Sequence, residues 1–228
     1  MYENLLEGLN SITIINSCSA QKYIQDGCYL NECIRDNSLQ NNDNTTCKQL
    51  SEEITKNAKI ITQDIVLFRG VEKNIDYCIN KAFVSTSPEF LCAREFTNNI
   101  VLHIHIPINT TINAIKIENT KEKSEHANES EVLFQKCTCF KEITNECLKI
   151  KLIKWGIEQN LYKQVSDNKV VFINCPCIEI KFVEIANTPQ TGGIISQIRL
   201  CSNQKLYKIK YNQNNQKYIK FNKKNILL

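Results

Sequence analysis

The 228-residue chain has little of the two residues that punctuate backbone structure: six Gly and four Pro. That excludes collagen-like and Pro/Gly-rich low-complexity chains. No run approaches the roughly 20 apolar residues that span a bilayer, so no membrane span is expected. Residues Met1 to Ile15 carry Glu3 and Glu7 and no basic segment leading into an apolar run. No secretory signal is expected there. The G-x-G-x-x-G loop of the dinucleotide-binding fold is also missing, which excludes that architecture. What is present is enough for a core. Hydrophobic residues make up 42% and charged residues 23%, with a net charge of +4. Wholesale disorder is therefore excluded, and the length suits one domain or one domain with an extension.

Cysteine is abundant, with twelve in the chain. Without a signal segment, the expected state is reduced thiols packing as small apolar side chains. Two pairs are spaced C-x-C, Cys137/Cys139 and Cys175/Cys177. Four thiolates suit zinc chemically, but structural zinc sites usually separate paired ligands by two or more residues. In a strand, positions two apart simply share a face. His103 and His105 flank Ile104 in the same way and read as structural. No metal is expected.

The first third reads as helical. Tyr23, Ile24, Cys28, Leu30, Ile34 and Leu39 recur at spacings near three and four. Asp36 to Thr46 reads as a loop, and Thr45 or Thr46 as the cap of a second helix through Leu50, Ile54 and Ala58. From Asp64 the pattern becomes strand-like: Ile65 to Phe68, Lys81 to Ser85, Ile100 to Ile108, Ile112 to Ile117, Val132 to Phe134 and Phe140 to Ile143. Asn119 to Glu129 is polar and reads as a surface loop. Further strands are expected at Ile150 to Ile153, Val170 to Ile173, Ile178 to Ile185, Ile194 to Leu200 and Leu206 to Tyr211, with a turn at Thr188 to Gly193. Residues 201 to 228 hold seven Lys and no Asp or Glu, with Tyr207, Tyr211, Tyr218 and Phe221 interleaved. That mix suits an acidic surface or nucleic acid, or else a solvated lysine face over buried aromatics.

Three short pieces stand out together. Arg69, next to Gly70 at the end of an apolar strand, has a planar fork suited to a diphosphate or carboxylate. Ser85, Thr86 and Ser87 place three hydroxyls at a strand end before Pro88. Glu129 and Glu131 enter an apolar strand two residues apart. In extended chain they share a face about 7 Å apart, and carboxylates so placed need partners or a task.

The order Arg, then Ser-Thr-Ser, then Glu-x-Glu resembles the arginine–serine–glutamate class of mono-ADP-ribosyltransferases, over roughly residues 20 to 145 by domain size. Tyr23 to Arg35, with Asn31 and Arg35 in matching places, is similar to that family's helical segment before the first motif. The resemblance implies the site residue by residue. Arg69 would contact the phosphate and ribose of NAD, and Gly70 would also be a cofactor-binding residue. Ser85 would orient Glu131, with Thr86 and Ser87 shaping the pocket. Glu131 would bind the nicotinamide-ribose hydroxyl and stabilise the anomeric cation, while Glu129 would engage the acceptor. Phe90, Arg94 and Phe96 would contact NAD from the segment Pro88 to Asn99. Asn119 to Asn128 would meet the target protein, although the aromatic residue often found there is absent and the nearest ring is His126.

The implied fold is α+β: a helical N-terminal layer and two mainly antiparallel sheets forming a split NAD-binding cleft. Residues 1–147 would be the catalytic core and 148–228 a β-rich basic extension. The expected reaction moves ADP-ribose from NAD to an exposed arginine of a target protein, in the cytoplasm or after delivery into a host cell. Its rivals are an NAD glycohydrolase using the same residues and a non-catalytic protein that binds nucleic acid or an acidic surface through residues 201–228.

Overall fold

A computed structural model gives the fold and describes residues 7–72, 81–118, 130–166 and 169–186, with four strands between 199 and 227. The chain divides into two compact units, Met1–Ala186 and Asn187–Leu228.

In the first unit a short 3-10 helix, Glu7–Ser11, precedes β1 (Ile14–Ile15), α1 (Cys18–Asp36), α2 (Asn41–Lys56), β2 (Lys59–Ile60), β3 (Ile65–Val71) and β4 (Val84–Thr86). Then follow α3 (Phe90–Glu95), β5 (Ile100–Ile106), β6 (Thr111–Ile112), β7 (Ala114–Glu118), β8 (Ser130–Phe134) and β9 (Phe140–Glu142). The unit closes with α4 (Glu146–Glu158), β10 (Tyr162–Ser166), β11 (Lys169–Phe172) and β12 (Glu179–Ile185). One four-stranded sheet has the order β1-β7-β8-β4 and the other β3-β5-β12-β9. The β1–β7 and β5–β12 pairs are parallel and the rest of both sheets antiparallel. The class is therefore α+β with two mainly antiparallel sheets, as the sequence leads one to expect.

Strand alternation sorts the apolar residues into three cores. Ile65, Leu67, Ile104, Val132 and Phe134 belong to the core shared by the two sheets. Tyr23 and Leu30 of α1 and Leu50 and Ile54 of α2 cover the outer face of the first sheet on Phe83, Ile115 and Leu133. Leu152 and Trp155 of α4 cover the outer face of the second on Phe68, Val101 and Phe182. The start of α1 is fixed by Ser17, whose Oγ accepts from Ala20 N at 3.1 Å and donates to Glu53 Oε2 of α2 at 2.7 Å. Its end is closed by Asn37 in the left-handed region at φ 55°.

Two expectations are corrected. The loop through residue 46 is shorter, because α2 already begins at Asn41 after Gln40. Thr45 and Thr46 do not cap it; their hydroxyls donate to the carbonyls of Asn41 and Asn42 at 3.0 and 3.2 Å. The apolar face Cys47, Leu50, Ile54 together with the Lys22–Asp43 pair at 2.8 Å carries the helix further back than the polar composition indicates. Ile150 to Ile153 is not a strand but part of α4, capped by Asn145, whose side chain accepts from Leu148 N. Leu148, Leu152 and Trp155 recur at four and three, and a short apolar run cannot by itself distinguish helix from strand.

The expected boundary at residue 147 falls at the start of α4, and β12 lies between β5 and β9 within the first unit. In the second unit β13 (Arg199–Ser202), β14 (Lys205–Tyr211), β15 (Lys217–Phe221) and β16 (Lys224–Leu227) form an antiparallel sheet in chain order. The expected loop 119–129, the turn 188–193 and residues 194–198 of an expected strand lie outside the described residues.

Candidate active site

The two sheets are joined at their edges, by a bridge between β3 and the residue that follows β4. Phe68 N donates to Ser87 O at 2.7 Å and Ser87 N to Phe68 O at 2.9 Å. This bridge brings the Arg69 and Ser85 segments together, and Arg69 Nη1 donates to the carbonyl of Ser85. The guanidinium is thereby anchored to the backbone of the strand that carries the hydroxyl motif.

Glu131 arrives from the neighbouring strand. Ser85 is in register with Leu133, and Ile117 with Glu131. Residues in register share a face, so Ser85, Leu133 and Glu131 lie on the face that α1 and α2 cover. Ser85 and Glu131 are diagonal neighbours there, a relation that places Cβ atoms roughly 7–8 Å apart, within reach of a long side chain. Both residues, like Arg69, are half-buried.

The electrostatics tie these residues to α1. Burial lowers the pKa of Arg69, the Tyr23 phenol opposes this, Arg35 adds to it and the Glu131 charge opposes it. Arginine keeps its charge despite such a shift. Burial also pushes the Tyr23 phenol well above its ordinary range; the Glu131 charge raises it further, while the hydrogen bond from Asn31 and the Arg69 charge counteract. Tyr23 is therefore a neutral hydroxyl beside a carboxylate and a guanidinium. Asn31 Nδ2 donates to Tyr23 Oη at 2.7 Å, while Asn31 Oδ1 is buried with no hydrogen-bond partner among the described residues.

Tyr23 belongs to this cluster although its spacing reads only as part of an apolar helical face. A signal for it exists in Gly27. Glycine inside a helix costs roughly 0.5–1 kcal/mol relative to alanine and points to a packing reason. Here a Cβ at position 27 would lie 3.1 Å from the Tyr23 ring. The ring lies along the helix over Gly27, and Tyr23, Gly27 and Asn31 are spaced four apart.

The other expected residues are placed differently. Thr86 is buried and its hydroxyl donates to Val132 O at 2.8 Å. Ser87 is buried too, and its Oγ accepts from Glu89 N at 3.0 Å. Gly70 turns to the side of β3 opposite Arg69, where a Cβ would meet Ala93 O at 2.3 Å; its task there is the close approach of α3. Phe90 is on that side as well, stacked on Phe172 with centroids 3.8 Å apart. Arg94 and Phe96 are exposed at the end of α3. Glu129 lies outside the described residues. His103 and His105 are buried in β5, as their spacing implies. Among the described residues no three or more His, Cys, Asp or Glu side chains converge in a way that would hold a metal, and no helix is long and apolar enough to cross a membrane.

No protein-family model and no curated protein matches the chain. Solved structures of bacterial ADP-ribosyltransferases do. An ADP-ribosyltransferase from Clostridium botulinum aligns at a TM-score of 0.46 and 16% identity, over 81% of this chain and 93% of that one. Exoenzyme S from Pseudomonas aeruginosa, in complex with human 14-3-3 protein beta and bound to carba-NAD, aligns at 0.45 and 16%, over 88% and 98%. A toxin from Paenibacillus larvae, also an ADP-ribosyltransferase, aligns at 0.42 and 11%, over 82% and 88%. All three scores lie below 0.5, so the assignment of function rests on this chain's own residues.

Proposed function

We propose that the chain is a mono-ADP-ribosyltransferase that moves ADP-ribose from NAD to an arginine side chain of a target protein, releasing nicotinamide. The observation that carries this reading is the convergence of Arg69, Ser85 and Glu131, three motifs far apart in sequence, at the place where the two sheets are bridged.

The donor set suits NAD. Arg69 offers a fork for the diphosphate, with Arg35 as a second cation close enough to affect it. Asn31 Oδ1, buried and without a hydrogen-bond partner among the described residues, retains acceptor capacity beside this cluster. Breaking the bond between nicotinamide and ribose leaves the electron pair on a neutral leaving group and a cation on the sugar carbon. A carboxylate held beside that carbon stabilises it electrostatically. Glu131 has this role, and Ser85, diagonal to it, restricts its rotamer. Glu129 accepts the proton of the incoming guanidinium and holds it against the sugar carbon. A glutamate rather than glutamine at 129 favours arginine as the acceptor.

A separate proposal concerns the second unit. Arg199 is in register with Lys208, and Lys208 with Lys220. Residues 201–228 hold seven Lys and no Asp or Glu, and that charge suits an acidic surface of the target.

Labelled NAD, incubated with and without cell lysate, tests the function. Label on protein supports transfer to an acceptor. Label only in free ADP-ribose makes water the acceptor, and intact NAD in both samples rejects the reading. Glu129→Gln separates the roles further: transfer to arginine falls while hydrolysis of NAD persists.

A further inference from the structure

A concavity lies on the side of β3 opposite Arg69, between the start of α3 and the end of α4. Its volume is about 320 Å³, which is at the small end for a ligand pocket. Phe68, Phe90 and Trp155 are its aromatic lining. These rings are set rigidly: Phe68 meets Phe90 edge-on at 6.1 Å, and Phe90 is stacked on Phe172. The far wall is fixed by the end of α4, where Asn160 takes φ 55° and Leu161 N donates to Gly156 O at 2.8 Å.

Its rim is chemically one-sided. Leu91 is 56% exposed, an apolar surface that nothing in the described structure covers. Among the described residues Glu89 is the one charged residue in the lining; the other polar residues there are neutral amides, with no Lys, Arg or His among them. Glu89 precedes α3, yet its side chain does not cap the helix. Its contact is a long one from the Cys92 thiol at 3.7 Å, so the carboxylate retains acceptor capacity. An apolar, aromatic-lined pocket with a single carboxylate at its edge complements one kind of group: a cation on an apolar stem. The stem packs on the rings and Leu91, and the head reaches the carboxylate.

We propose that this pocket receives an arginine or lysine side chain, flanked by apolar residues, from a segment of a partner protein. The site is distinct from the Arg69–Ser85–Glu131 cluster and does not depend on the NAD reading. It nevertheless adjoins that cluster along the backbone. Phe68 immediately precedes Arg69, Pro88 immediately follows Ser87, and the Phe68–Ser87 bridge joins the two strands.

Trp155 is the chain's single tryptophan and lines the pocket, so its fluorescence reports occupancy. The probes are acetyl-Leu-Arg-Leu-amide and acetyl-Leu-Glu-Leu-amide, titrated into the full chain. The arginine peptide is expected to give a saturable change at about millimolar concentration or below and to bind at least about 10-fold more tightly than the glutamate peptide. Glu89 is exposed, so Glu89→Gln leaves the fold intact, and it is expected to abolish the difference between the peptides. No saturable change with the arginine peptide up to about 10 mM, equal binding of the two peptides, or a preference that survives in Glu89→Gln would each overturn the proposal.

Discussion

On strand β3, Phe68 and Gly70 turn to one side and Arg69 to the other. On the first side the strand's own residues are taken up by packing. Phe68 meets the ring of His103, Gly70 admits the backbone of α3, and Trp155 and Phe182 close over the same layer. On the second side a half-buried cation reaches across to the Ser85 carbonyl, with Tyr23 and Glu131 within electrostatic range. Neighbouring residues of one strand thus meet opposite environments. Changes on the packing side should appear in stability, and changes on the other in NAD chemistry.

The largest expected effect is on the packing side and depends on pH. Burial, with His105 contributing, pushes the pKa of His103 down to about 3. In the unfolded chain the imidazole returns to about 6.5. The folded form holds the neutral ring, so this stabilisation is complete above the unfolded value and is lost as pH falls from about 6.5 toward 3. The loss amounts to several kcal/mol, read as a drop in urea midpoint between pH 7 and pH 4 that is smaller in His103→Leu. Next comes Gly70→Ala, whose Cβ would press on a backbone carbonyl; it should cost about 3 kcal/mol by the same urea assay. Arg69→Lys tests the other side: NAD affinity should fall about 10-fold by calorimetry, since an ammonium cannot form the fork, while the melting temperature shifts little. Unchanged affinity would place Arg69 outside the NAD site. The smallest effect is that of Ser85→Ala: on the proposed role, holding Glu131 rather than NAD, kcat should fall several-fold with little change in KM. A rise in KM at constant kcat would reverse that assignment.

Much of this division is legible in the sequence. The apolar runs through Ile65–Val71 and Ile100–Ile106 mark two strands, and the order of the three motifs marks which strand ends to compare. What the pattern cannot give is the face on which a motif's neighbours fall. Gly70 and Phe90 stand beside Arg69 and Ser87 in sequence, yet both turn to the packing side, because position along a strand does not reveal what covers it. Tyr23 shows the converse: by spacing alone an aromatic in a helix reads as core, and the family resemblance over Tyr23 to Arg35, with Gly27 and Asn31 four and eight residues on, is what points to its hydroxyl. The helix at Ile150 was hidden by a different ambiguity, since the β-branched apolar residues around it satisfy either period over four residues.

The rate of nicotinamide release from NAD by the intact chain and by Glu131→Gln tests the central claim most directly. The variant keeps the shape of the side chain and removes the charge that offsets the developing sugar cation. The account predicts release by the native chain and a rate at least about 100-fold lower in the variant, equivalent to roughly 3 kcal/mol of transition-state stabilisation. Equal rates in the two proteins, or no release from the native chain, would contradict it.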